Sequence, residues 1–449
     1  MVKIAVVGAG IVGVTSAYEL TAAGHDVTVF EQGGSVAAEA SFGHAGLDGP
    51  GCAVAWSPLA VSGSLLGLAL RGRLPDALTL EAHPTTCAWT LKWLQANRSS
   101  AQRARRHALH QIAAYSRARM TAITRALRLD FERSDGVLVV ARIASDLNRM
   151  LPALAGFDED GVRFNRLSPD QCFSVEPGLN RQAPLHAAVH LPDEGAGNCR
   201  EFAQLMKQHA QRLGARFVFN AQVLDIQPGL RPELTLARGA QPARPSRMAM
   251  NSLDAAVSAS PDASSAASVC RESFDAVLVC AALSSRRLLA RQGLKLPLIG
   301  VHGHSVTAPL RLDEVDSHVG PNSVVLDARH LVTISRTGSR VRVSGGAMLG
   351  GETRSRKAAS LRQLYQTLDD WFPGAARVAQ AQHWQGKSPT LPDGLPVIGP
   401  SGMEGVWLNL GHGSVGWTLS CGSAQLLTAM MGGVPPDIDM EGLGSERFR

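Results

Sequence analysis

A glycine-rich turn near the start of the chain has the spacing of a phosphate-binding loop. The segment GAGIVG lies between an apolar, strand-like run and a helical pattern. Its first glycine permits a tight turn, its second lets a pyrophosphate approach the backbone, and its third allows the helix to pack closely. The N-terminus of that helix faces the phosphate charge. We expect cofactor contact along the whole turn, at Gly8, Ala9, Gly10, Ile11, Val12 and Gly13.

An acidic residue ends the next strand-like run. Glu31 lies eighteen residues after Gly13 and is followed by Gln32. A carboxylate at this distance can accept hydrogen bonds from the ribose hydroxyls of an adenosine, so we expect both residues to contact it. The two features predict an adenine dinucleotide but do not choose between NAD and FAD. An NAD-dependent dehydrogenase therefore stays open at this point.

Two later glycine-rich segments favour FAD. In ASFGHAGL, small residues let a flat ring system lie close to the backbone. In LGHGSVGWT, glycines join a strand to an apolar helix, whose N-terminus can stabilise negative charge on a reduced flavin. The residues expected to contact the cofactor here are Ser41, His44, Ala45, Gly46, Leu47, Gly411, His412, Gly413, Ser414, Gly416, Trp417 and Thr418.

The elements that must position these residues point to two interleaved domains. The chain has 449 residues, of which 45% are hydrophobic and 18% charged, which is typical of a folded protein with two structural units. A strand–helix–strand opening and the apolar run DAVLVCA predict a parallel sheet, and short strands from Val301 to Ser344 predict an antiparallel one. The fold class is therefore α/β, with a Rossmann-like FAD-binding domain interleaved with an α+β substrate domain on a mostly antiparallel sheet.

The expected domain boundaries follow from this order of elements. The FAD-binding domain comprises residues 1–80, 193–292 and 383–449, and the substrate domain comprises 81–192 and 293–382. Within the first domain, residues 239–270 are rich in Ser, Ala and Pro and predict a flexible surface insertion without chemistry.

Charge and cysteine content exclude several functions. The net charge is +6, and much of it comes from a basic helical stretch between Arg98 and Arg119. Because aromatic residues make up only 5% and no recognition motif is present, nucleic acid is not an expected partner. The stretch is either a solvated helix face or a peripheral contact with an anionic membrane surface. Seven scattered cysteines without a C-x-x-C pair, and no apolar run long enough to span a bilayer, indicate a reduced, cytoplasmic protein.

These segments together resemble the D-amino-acid dehydrogenase branch of the FAD-dependent D-amino-acid oxidase and glycine oxidase family. The resemblance covers almost the whole chain and depends most on WQGKSPTLPDGLPVIG and LNLGHGSVGWTLSCGSAQLL. It implies an extended FAD with its ring system between the domains, and hydride transfer from the substrate carbon to flavin N5 in amino-acid catabolism. It also implies that Val223 contacts the adenine side through its backbone and that His304 contacts the substrate.

The resemblance leaves three functions open. The first is a dehydrogenase of a D-amino acid or cyclic imino acid, with a quinone or the respiratory chain as electron acceptor. The second is an amine oxidase of the glycine or sarcosine type, and the third is a non-catalytic FAD-binding subunit.

Three residues depart from the family pattern. Ser388 stands where the family commonly has an arginine that holds the substrate carboxylate, so Lys387, Arg336 or Arg342 is expected to replace it. His44 stands where related dehydrogenases usually have asparagine. Dimethylglycine and sarcosine dehydrogenases join a similar histidine covalently to the flavin, but we predict non-covalent FAD. Ala282 replaces a usual glycine.

The remaining histidines suggest no metal. His302 and His304 lie on one face of a strand, but no third ligand has matching spacing, so no metal site is expected. His412 is expected to act through the backbone of its turn at the flavin more than through its imidazole.

Overall fold

The structure is a computed structural model that describes residues 1–55, 78–80, 83–96, 99–239, 268–311, 320–349 and 354–448. The helices are α1 Ile11–Ala22, α2 Pro50–Ala55, α3 Pro84–Ala96, α4 Ser99–Leu127, α5 Ala144–Asp160, α6 Pro169–Val175, α7 Cys199–Arg212, α8 Ser284–Ala290, α9 Arg354–Trp371 and α10 Gly416–Met431. The strands of the first half are β1 Lys3–Val7, β2 Asp26–Phe30, β3 Leu47–Asp48, β4 Leu78–Leu80, β5 Ser134–Ala141, β6 Asn165–Leu167, β7 Ala187–Ala196, β8 Arg216–Val218 and β9 Ala221–Gln227. Those of the second half are β10 Glu233–Arg238, β11 Ser268–Ser273, β12 Ala276–Val279, β13 Ile299–Pro309, β14 Val324–Asp327, β15 Val332–Thr337, β16 Arg340–Leu349, β17 Gln382–Thr390, β18 Val397–Pro400 and β19 Val406–Leu410.

The first sheet carries the glycine turn. In the described part of the chain its strand order is β18-β19-β12-β1-β2-β8, and every pair except β18 with β19 is parallel. The central strands β1 and β12 are apolar because both faces are covered, which is typical of buried parallel strands. The Rossmann-like prediction is confirmed, since β1, α1 and β2 follow one another as the sequence indicates.

The second sheet is larger than the first in the described part of the chain. Its described strands run in the order β17-β13-β16-β15-β14-β5-β7-β3, with β4 and β6 paired at its sides. Most pairs are antiparallel, which confirms the expected α+β unit, and α9 covers one face through Leu364, Leu368 and Trp371.

The pairing of the strands can be compared with the expected domain boundaries, which stay a prediction. Strand β17 pairs with β13 of the second sheet, although residues 383–449 were assigned to the FAD-binding domain. Of the expected insertion 239–270, residues 240–267 lie outside the described residues, whereas 268–270 pair with β10 in a three-stranded sheet.

The basic stretch is part of α4, which packs against α10 and α2. Arg119 binds both carboxylate oxygens of Glu19, and Arg106 and Arg117 form ion pairs with acidic residues of other elements. Arg98 lies outside the described residues. Among the described helices, none has the length and apolarity needed to cross a bilayer.

Candidate cofactor and active site

One large cavity joins both sheets. Its volume is about 1190 Å³, and its walls come from the glycine turn, the end of β2, the segment around Ser41, β13, β17 and the turn after β19. A cavity of this size and elongation has room for a dinucleotide with a substrate beside it.

The glycine turn leaves space where a pyrophosphate must approach. A Cβ on Gly10 would meet only the Ser41 Oγ, at 3.8 Å, so the backbone there is open towards the cavity. A Cβ on Gly13 would lie 2.0 Å from the Gly8 carbonyl oxygen, because α1 packs directly on the turn. Gly8 itself has a φ of +103°. The backbone at the three glycines therefore has the space and the turn that a pyrophosphate needs, and the cradle fits the phosphates of FAD.

Glu31 is fixed by the backbone at the adenosine end. Its two carboxylate oxygens accept hydrogen bonds from the amide nitrogens of Ala9 and Gly33, each at 2.7 Å. Burial raises the pKa of this carboxyl, while the same backbone bonds lower it. Because each carboxylate oxygen has two lone pairs, the group can still accept hydrogen bonds from ribose hydroxyls. Gln32 and Val223 line the same end of the cavity.

The two later glycine-rich segments are bonded to each other. The Nε1 of Trp417 donates to the Gly46 carbonyl at 3.1 Å, and the Thr418 hydroxyl donates to the Leu47 carbonyl at 3.2 Å. Buried Trp417 also packs edge-on against Phe202. These bonds hold together two chain segments that are far apart in sequence, next to the wall of the cavity.

His44 is held by backbone groups on both ring nitrogens. Its Nδ1 accepts from the Gly46 amide at 3.0 Å, so the ring proton lies on Nε2, which donates to the Ser414 carbonyl at 2.9 Å. Burial lowers the pKa of this imidazole, which keeps it neutral. Neither nitrogen is directed as a free nucleophile, which supports the prediction of non-covalent FAD.

The structure brings most of the expected residues to the cavity wall. The expected residues that line it are Gly8, Ala9, Gly10, Ile11, Val12, Glu31, Gln32, Ser41, His44, Val223, His304, Lys387, Gly411, His412, Gly413, Gly416 and Trp417. Gly13, Ala45, Gly46, Leu47, Ser414 and Thr418 lie just behind this wall, and Arg336 lies away from it. The Nε of Arg336 donates to the Gly338 carbonyl at 3.2 Å, and its guanidinium lies near the carboxyl of Glu176.

The end of the cavity at the second sheet is rich in histidine. His302 and His304 are buried on β13, His383 accompanies them on β17, and Lys387 is exposed at the rim. Sequence reasoning did not name His383 or Trp384 as site residues, although Trp384 begins the quoted WQGKSPTLPDGLPVIG segment and His383 directly precedes it. Within the described residues no group of three or more His, Cys, Asp or Glu side chains could hold a metal ion.

At the cavity wall, His412 has a buried imidazole and Ala282 has a left-handed backbone conformation. Burial lowers the pKa of His412 to about 3, and its Nε2 lies 3.2 Å from the Ser423 hydroxyl. The imidazole is therefore neutral, as expected of a residue that contributes through its backbone. Ala282 has a φ of 48°, in the left-handed region that favours glycine.

The comparisons with known proteins agree with this geometry. The sequence profile of the family described as "FAD dependent oxidoreductase" matches residues 3–430. A D-amino acid dehydrogenase from Bradyrhizobium diazoefficiens is 32% identical over 448 residues, covering 99% of both chains. Another from Azorhizobium caulinodans is 33% identical over 454 residues, covering 100% of both.

Solved structures show the same fold. Glycine oxidase from Geobacillus kaustophilus superimposes with a TM-score of 0.68 at 18% identity, covering 99% of this chain and 98% of that one. Iminodiacetate oxidase from Chelativorans sp. superimposes with a TM-score of 0.66 at 20% identity, covering 98% of each.

Proposed function

Because the chain belongs to the FAD-dependent oxidoreductase family, we propose that it oxidises the carbon–nitrogen bond of a D-amino acid or a cyclic imino acid. The observation that supports this most is the large cavity, whose lining extends from the glycine turn to the histidines of the second sheet. The relatives named above match over their full length and are D-amino acid dehydrogenases.

In this reaction the residues of the chain bind and orient the cofactor and the substrate. When bound, FAD supplies the acceptor for the hydride that leaves the substrate carbon. The turn from Gly8 to Gly13 would hold the phosphates, and the hydrogen-bonded segments around His44 and Trp417 fix one part of the cavity wall. With a pKa of about 3, His412 is too weak a base to take the proton of the amine near neutral pH, and both nitrogens of His44 are already hydrogen-bonded. Hydride transfer needs a neutral amine, which loss of a proton to solvent before binding supplies, and the imine product is hydrolysed by water.

The proposal is tested by anaerobic mixing of the yellow protein with a panel of D-amino acids, cyclic imino acids and N-methyl amines. Loss of the visible flavin absorbance with a D-amino acid or proline derivative is the expected result. Bleaching by glycine or sarcosine alone would favour the amine oxidase of the glycine or sarcosine type instead. No bleaching by any member would favour a non-catalytic FAD-binding subunit.

We also propose a quinone or the respiratory chain as the electron acceptor, with a cytoplasmic location and peripheral contact with the membrane. The exposed Arg103, Arg125 and Arg128 of the α4 region support this contact, whereas Arg106, Arg117 and Arg119 of the same helix are engaged in ion pairs. Reoxidation that is fast with a soluble quinone and slow with air is expected. Sedimentation with phosphatidylserine vesicles but not with phosphatidylcholine vesicles tests the contact.

A further inference from the structure

A second, smaller cavity lies beside the first. Its volume is about 420 Å³, and Phe42, His383 and Trp384 line both cavities, so these three side chains form the wall between them. The smaller cavity is also lined by charged residues from three parts of the chain, namely Glu132, Arg200, Glu201, Arg340 and Arg342.

Arg342 is the buried cation of this cavity. Its residue exposure is only 7%, and it forms no ion pair among the described residues. Its Nε donates to the Thr307 hydroxyl and one Nη1 proton to the His44 carbonyl, each at 3.1 Å. These bonds use two of five N–H donors and fix the plane of the guanidinium. A buried charge without a counter-ion is costly, so such a site is stabilised when an anion enters.

The other charges of the cavity do not neutralise Arg342. Glu132 accepts from Arg340 at 3.1 Å and from Asn198 at 2.7 Å, so its charge is already engaged. Burial raises the pKa of Glu201, which forms no ion pair with Arg342 among the described residues, and Arg200 lies 4.2 Å from the centre of the Phe42 ring. With three arginines against two glutamates, the cavity has an excess positive charge.

A neutral donor completes the site. Ser305 is 1% exposed, lines the same cavity, and its Oγ has no hydrogen-bond partner among the described residues. Burial of an unsatisfied hydroxyl is also unfavourable. Ser305, Thr307 and Arg342 lie on one face of the sheet. Ser305 and Thr307 are two residues apart on β13, so their side chains point to the same side, and Thr307 is paired directly with Arg342 on β16.

We propose that the smaller cavity is a binding site for a carboxylate, held by the guanidinium of Arg342 with Ser305 as a neutral donor. The planar fork of arginine matches the two oxygens of a carboxylate. The site supplies the permanent charge that Ser388 lacks. Insofar as the carboxylate is that of the substrate, this inference rests on the proposed function; the other source is a separate small carboxylate.

The test measures acetate binding to the FAD-loaded protein in the absence of turnover. Acetate is expected to change the tryptophan fluorescence through Trp384, and uncharged acetamide is not. Arg342→Met should weaken acetate binding by about 10- to 100-fold, since it removes a charged hydrogen-bond donor. The matched control Arg336→Met, on the neighbouring strand β15 and in the lining of neither cavity, should change the affinity by less than about 3-fold.

Further variants keep the test valid if Arg342→Met fails to fold. Arg342→Lys retains the charge without the fork and should give an intermediate affinity, and Ser305→Ala should weaken acetate binding by about 2- to 10-fold. Equal acetate affinity in wild type and both Arg342 variants, or equal binding of acetamide, would overturn the proposal.

Kinetics then separate the two sources of the carboxylate. A KM for D-alanine that rises in proportion to the loss of acetate affinity identifies the substrate carboxylate. An unchanged KM together with lost acetate binding identifies a separate carboxylate. Because acetate binding needs no turnover, it can succeed even if the proposed oxidation fails.

Discussion

Replacing Gly10 with alanine should separate cofactor binding from folding. Gly10 precedes α1 with φ −66° and ψ 177°, a conformation that alanine adopts without strain. The added Cβ would meet only the Ser41 Oγ, at 3.8 Å, which is an ordinary contact. The free energy of unfolding of the apoprotein should therefore change by no more than about 1 kcal/mol.

The same Cβ would occupy the side from which the pyrophosphate approaches. Loss of even one or two charged hydrogen bonds between backbone and phosphate costs about 3 kcal/mol, which corresponds to a roughly 100-fold weaker FAD affinity. Gly13→Ala is the matched control. Its Cβ would lie 2.0 Å from the Gly8 carbonyl oxygen, so this variant should destabilise the apoprotein itself.

The assay titrates each apoprotein with FAD, following quenching of flavin fluorescence, and compares apoprotein melting temperatures. Gly10→Ala should melt like wild type and bind FAD weakly. Wild-type FAD affinity in Gly10→Ala, or an apoprotein as unstable as that of Gly13→Ala, would refute the reasoning.

Three other outcomes are expected. Burial raises the pKa of Glu176 to about 7 in the folded protein. The protonated carboxyl therefore stabilises the fold fully below the usual pKa of a glutamate, and this stabilisation is lost as the pH rises through 7. Glu176→Gln should therefore have the melting temperature of wild type at pH 4.5. At pH 8 its free energy of unfolding should exceed that of wild type by up to about 3 kcal/mol. An equal increase at both pH values would contradict this. Acid precipitation should release all flavin into the supernatant because both ring nitrogens of His44 are engaged, and a yellow pellet would show a covalent bond. Since His412 has a pKa of about 3, His412→Asn should leave the inflections of a kcat profile between pH 5 and 9 in place, and the loss of one would assign it to His412.

Local sequence patterns predict the structure correctly where residues that are close in sequence are also close in space. The glycine turn, α1 and Glu31 lie within one strand–helix–strand unit, so residue spacing predicts their geometry directly. The apolar run DAVLVCA likewise predicts a buried strand, since only a strand covered on both faces is apolar at every position.

Pairings between distant segments could not be predicted in this way. Spacing alone does not show that Arg342 lies beside Thr307 and the carbonyl of His44, whereas Arg336 points away. It also does not show that β17 joins the second sheet, or that Gly46 and Leu47 bond to the helix that follows β19. These contacts depend on which strands become neighbours, and that is decided by packing of the whole chain.

The parallel sheet also has a consequence for how the protein is made. Its central strand β1 pairs with β12, and the amide of Lys3 bonds a carboxylate 272 positions later. The outer neighbour of β12 is β19, at Val406–Leu410. At a synthesis rate of about 5–20 residues per second, β1 waits roughly 14–55 s for β12, and β19 follows roughly 20–80 s after β1. Until both strands are made, an apolar edge of the sheet is uncovered, so the nascent chain is expected to depend on chaperones and to acquire FAD only after translation has passed β19.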